Sequence, residues 1–73
     1  MNEFKRFEVI KTCPIAGGDI AQGTIIDIVH GCVYVNNCMM TPLYQNEIMR
    51  IISKETAQGF NYLRPKPVPY NKV

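Results

Sequence analysis

The chain has 73 residues, 47% of them hydrophobic, with eight Lys and Arg against six Asp and Glu. That length holds one domain at most and buries a modest share of its surface, which leaves little depth for a water-excluding active site. The net charge of +2 is too mild for the dense basic patch of a typical nucleic-acid binder.

Phe4–Lys11 opens the fold. Phe7 and Val9 alternate with Glu8 and Ile10, the period of two that marks a strand. Lys5, Arg6 and Lys11 suit an edge position, where charge discourages stray pairing or, in the opposite sense, fixes the register of an added partner strand. Thr12–Gly23 is expected to be a loop, broken by Pro14, Gly17-Gly18, Asp19 and Gly23. Its Ala16-Gly17-Gly18-Asp19 lacks the G-x-x-x-x-G-K-[ST] spacing of a phosphate cradle.

Thr24–Asn36 is the organising stretch. His30-Gly31 is a two-residue turn candidate, because Gly accepts the positive φ of tight hairpin turns. The turn predicts Val29 opposite Cys32, Ile28 opposite Val33, Asp27 opposite Tyr34 and Ile26 opposite Val35. Ile26, Ile28, Val33 and Val35 then share one β-branched face that has to be covered, while Ile25, Asp27, Val29, Cys32, Tyr34 and Asn36 share a mixed face. Asp27 and Tyr34 are expected to form an exposed cross-strand pair. Asn36-Asn37 starts another turn, since Asn tolerates left-handed backbone, and Cys38-Met39-Met40 has the length for a further short strand.

Thr41-Pro42 reads as a helix start, with Thr as N-cap and Pro where a missing N–H does no harm. Apolar residues at 44, 48, 51 and 52 make a helical stripe over about 42–57, and Gln58-Gly59 is a stop signal. Ile48, Ile51 and Ile52 are β-branched and lower helix propensity. An extended Leu43–Ser53 would instead give a small SH3-like all-β barrel. The preferred fold class is α+β: a small antiparallel sheet, built from strand 4–11 and hairpin 24–36, covered by one amphipathic helix.

Residues 1–58 hold five cations against six acids, whereas 59–73 hold three cations and no acid. Pro65, Pro67 and Pro69 exclude helix and interior strand there. The division expected is a compact domain over 1–63, with Phe60–Leu63 docked on it, and a flexible, proline-rich basic tail over 64–73.

Three cysteines without C-x-x-C spacing argue against a disulfide framework and fit a reducing compartment. The N-terminus has no apolar signal region, and no run is long enough to span a membrane, so a soluble cytoplasmic protein is expected. Cys32 lies two residues from His30, but with no third orienting group it makes a poor nucleophile pair. Cys13, His30, Cys32 and Cys38 could supply four zinc ligands, yet their spacings match no common finger. No catalytic residue, metal or cofactor is therefore expected. Recognition residues remain: Tyr34, Tyr44, Phe60, Tyr62, Met39, Met40 and Met49 are of the kinds favoured at interfaces.

In its length, its lone domain and its opening Met-Asn-Glu-Phe-Lys-Arg-Phe-Glu-Val-Ile-Lys, the chain resembles small phage-encoded regulators of host RNA polymerase. The resemblance implies a protein without enzymatic activity in the host cytoplasm. It implies binding to host RNA polymerase at the N-terminal region of the β′ subunit, inhibition of host promoter transcription, and antitermination. It carries no contact residues with it. From the residues themselves, Lys5 and Arg6 at a strand edge, and Arg64 and Lys66 in the tail, are the expected partner-binding side chains. Direct nucleic-acid binding is the rival function and is not the one expected.

Overall fold

The computed structural model describes residues 4–15 and 18–67. In chain order the elements are β1 (Phe4–Val9), β2 (Cys13–Ile15), β3 (Gly18–Ile20), β4 (Ile25–Val29), β5 (Cys32–Val35), β6 (Cys38–Met39), α1 (Pro42–Gln58) and β7 (Leu63–Lys66). Five strands form one antiparallel sheet in the order β6-β5-β4-β1-β7, and β2 and β3 form a separate hairpin. This is the α+β class expected from the periodicities, not the barrel.

The central hairpin has the expected register in all four pairs, from Ile26 opposite Val35 to Val29 opposite Cys32. His30 and Gly31 both adopt positive φ, 53° and 83°, the conformation of a tight turn whose twist matches its strands. Asn36 and Asn37 repeat this at 50° and 71° and turn the chain into β6. Asn36 also ties the turn back to β4: its Oδ1 accepts from the Ile25 N–H at 3.0 Å.

The helix runs one residue past the expected end and stops where Gly59 takes φ 107°, donating its N–H to the Glu55 carbonyl. Pro42 occupies the first turn, but the Thr41 hydroxyl makes no cap. Gln45, which lies outside the apolar stripe, clips the helix start to the sheet. Its Nε2 donates to the Met40 carbonyl at 2.8 Å, and its Oε1 accepts from the Val33 N–H at 3.2 Å. Ile48 and Ile52 pack on Phe7, Val9, Ile26, Ile28, Val33 and Leu63 in one core. Each large aliphatic side chain buried this way contributes roughly 1.5–3 kcal/mol.

Three expectations need correction. The first strand ends at Val9 and is not an edge: β4 pairs with one side of β1 and β7 with the other. The 12–23 loop holds the β2–β3 hairpin, whose Cys13 and Ile20 enter the core; three-residue strands leave too little alternation to be read in advance. The domain boundary at 63 is too early, because Arg64, Pro65 and Lys66 are strand residues opposite Glu8, Phe7 and Arg6. Proline is tolerated there because β7 is the sheet's outermost strand. Residues 68–73 of the expected tail lie outside the described residues.

What holds β7 in place is Glu55. Glu55 is 6% exposed, and its carboxylate accepts from the backbone N–H groups of Asn61, Tyr62 and Leu63 at 2.9–3.0 Å. A carboxylate satisfied by three amides can be buried at tolerable cost. The Ile10 N–H donates to the Tyr62 carbonyl at 2.8 Å and brings the same segment against the end of β1.

Candidate functional site

The helix covers one face of the sheet. On the other face the register sets a row straight across four strand pairings: Lys66 beside Arg6, Arg6 beside Asp27, Asp27 beside Tyr34, and Tyr34 beside Met39. Asp27 is not the exposed partner of Tyr34 that the hairpin alone suggested. It is 5% exposed and is gripped by Arg6, with Nε donating to Oδ1 at 2.6 Å and Nη2 to Oδ2 at 2.9 Å. The two parallel bonds are the bidentate geometry that a guanidinium offers a carboxylate. The hydrogen bond to Asp27 raises the Arg6 pKa above its ordinary value, burial works against it, and the Asp27 charge adds to it. The Arg6 guanidinium carbon lies 6.0 Å from the Phe4 ring centre. Phe4, Val29, Tyr34 and Asn37 join the ion pair around a shallow hollow of about 410 Å³.

At the margin of this face Arg64 and Lys66 share one carboxylate. Arg64 Nη2 and Lys66 Nζ stand 3.6 and 3.5 Å from Glu8 Oε1. Both cations are largely solvated, so these contacts add little stability. Two cations against one acid leave an excess of positive charge along β7.

The four expected contact residues therefore do not share one site. Arg64 and Lys66 stand together on the outermost strand. Arg6 is committed to Asp27. Lys5 faces the opposite way, on the helix side, at the mouth of a groove of about 460 Å³ that also reaches Phe7, Ile28, Met49 and Ile52. Lys11 is engaged near the Tyr62 ring, 4.9 Å from its centre, and donates to Asn61 Oδ1 at 3.2 Å.

The cysteines are dispersed: Cys13 is buried, Cys32 half-buried and Cys38 exposed, each as a free thiol. Among the described residues no three His, Cys, Asp or Glu side chains gather in a way that could hold a metal ion. Burial pushes the Cys13 thiol pKa up, and the negative charges of Glu55 and Asp19 push it the same way against Lys54. A thiol so placed is a poor nucleophile. Among the described residues no helix is long and apolar enough to cross a membrane.

Sequence reasoning missed Glu55 and Gln45 as organising residues. Their signal was present but ambiguous. A lone Glu on an apolar stripe implies a buried acceptor, but the amides it meets lie six to eight residues on. Comparison with protein-family models, with curated proteins and with solved structures gives no match.

Proposed function

We propose that this chain is a non-enzymatic transcription regulator that acts in the host cytoplasm by binding bacterial RNA polymerase, at the N-terminal region of β′. Binding there inhibits host promoter transcription and permits read-through of terminators. The resemblance of the opening residues and length supplies the partner. The observation that supports it on the chain itself is the excess of positive charge along β7, beside an open sheet face. Arg64 and Lys66 are exposed and share a single acid, a pattern suited to steering an acidic protein surface into register.

Affinity capture from nuclease-treated bacterial lysate on the immobilised 73-residue chain tests the reading. Recovery of the large polymerase subunits supports it. The double variant Arg64→Glu/Lys66→Glu should weaken recovery about tenfold at low salt, and less at high salt. Absence of polymerase from the wild-type capture defeats the reading.

The rival is a single-stranded nucleic-acid binder. Phe4 and Tyr34 on the open face, with Arg64 and Lys66 at its margin, resemble the mixture of aromatic and basic groups that stacks bases. Gel shifts with short DNA and RNA at two salt concentrations decide between them. Direct phosphate binding falls steeply with salt, and binding that survives nuclease is to protein.

A further inference from the structure

Cavities open on both flanks of α1, and their linings differ. On one, Pro14 and Ile15 of the β2–β3 hairpin and Glu47, Arg50, Ile51 and Lys54 of the helix border a shallow cavity of about 350 Å³, beside a second of about 540 Å³ whose lining includes the charged Lys54 and Glu55. On the other, helix and sheet diverge into the groove at Lys5. Met49, Ile52, Ser53, Thr56 and Ala57 line it from the helix, at spacings of three, four, seven and eight from Met49. That is a second stripe beside the core stripe, and its small side chains leave the trough open. Phe7, Ile28 and Ile52 form an apolar floor. Met49 is 38% exposed, and Phe60, 41% exposed, lies with its ring 6.1 Å from that of Phe7.

Among the described residues the only ionisable side chain lining this groove is Lys5. Among the described residues Lys5, like Lys11 and Lys54, makes no ion pair, whereas Arg6, Arg50, Arg64 and Lys66 each have a carboxylate. An apolar trough lined by one ammonium is complementary to apolar side chains followed by a carboxylate. A single lysine with no arginine fork beside it is a poor match for phosphate. Methionine at the rim can adapt to the shape of what enters.

We propose that this groove docks a short protein segment of the partner, in which leucine-like side chains precede an Asp or Glu that pairs with Lys5. The inference takes from the proposed function only that the partner is a protein. It gives Lys5 the contact role expected from sequence, but in a groove and not at a strand edge.

The test uses the full chain with labelled Ile and Met methyl groups and three probes: acetyl-Leu-Leu-Glu-amide, acetyl-Leu-Leu-Lys-amide and acetyl-Ser-Ser-Glu-amide. The Leu-Leu-Glu probe should shift the Ile28, Met49 and Ile52 methyl signals saturably. The Leu-Leu-Lys probe should bind at least about fivefold more weakly, and the Ser-Ser-Glu probe should leave those signals unmoved. Lys5→Glu should reverse the order of the two leucine probes, and Lys5→Met should abolish the difference. Because Lys5 is exposed, neither variant should alter the melting temperature. Equal binding of the two leucine probes to the wild type, or shifts confined to other residues, overturns the proposal. Polymerase capture without probe binding would remove the groove and keep the proposed function; probe binding without polymerase capture would do the reverse.

Discussion

Ile26 and Asp27 are neighbours on β4, both almost wholly out of solvent, and opposite physics keeps them there. Ile26, 1% exposed, lies under the helix among other aliphatic side chains. Among the described residues no helix lies over Asp27; it is covered by Arg6, which reaches across from β1 and satisfies both oxygens. The helix face draws its stability from apolar area and is indifferent to salt. The open face is held by a lattice of charges that can be rearranged at small cost. A binding surface belongs on the second kind of face, or on a part of the first that the helix fails to cover.

Truncation along β4 is the strongest way to break this contrast. Ile26→Ala removes buried methyl groups beneath α1 and should cost about 2–5 kcal/mol in denaturant unfolding. Ile25→Ala, one residue away on the open face and only half-buried, should cost less than half as much. Similar losses at the two positions would mean that the open face is packed as tightly as the covered one.

Glu55→Ala comes next, because it tests whether β7 belongs to the covered side. Three backbone N–H groups would lose their acceptor, at a cost of about 2–4 kcal/mol. Hydrogen exchange should rise at Asn61, Tyr62 and Leu63 and along β7, while the β4–β5 hairpin amides keep their protection. Uniform loss of protection would show that β7 and the hairpin unfold as one unit.

Asp27→Asn sharpens the comparison from the open side. The bidentate pair is partly solvated at Arg6, so its loss should cost about 1–2 kcal/mol. The cost should shrink in high salt, unlike that of Ile26→Ala. Arg6→Glu is expected to be worse than neutral truncation, since it sets two carboxylates against each other. That is why Arg6, unlike Arg64 and Lys66, is unsuited to testing partner contact by charge reversal.

The division between the faces also marks how far the sequence could be read. Alternation in Thr24–Asn36 and the stripe at 44, 48, 51 and 52 are local signals, and each carried its own check in a turn or a cap. Strand neighbours are not local. Nothing within Phe4–Val9 says that β7 will cover its free side, because that pairing depends on Glu55 catching amides contributed by the segment leading into β7. Lys5 and Arg6 were therefore legible as charged neighbours on a strand, but not as residues of an interior strand with different surroundings. Charge composition identified the basic margin at Arg64 and Lys66 correctly as a cluster and placed it wrongly in a free tail.

The smallest effect concerns Cys13, which sits where the β2–β3 hairpin meets the helix side. Its thiol pKa is raised in the folded chain, first by burial and then by Glu55 and Asp19. The unfolded chain then releases this proton at lower pH than the folded one. The stabilising contribution is complete below the ordinary thiol value and is lost as pH rises through the raised one. The wild type should thus lose stability between neutral pH and about pH 10 faster than Cys13→Ala, whose other titrating groups are the same and cancel in the difference. Alkylation at pH 8 gives an independent reading. Cys38, exposed on β6, should react first, Cys32 more slowly, and Cys13 only as fast as the chain opens. If Cys13 labels as quickly as Cys38 under native conditions, the hairpin does not shield Cys13 from solvent.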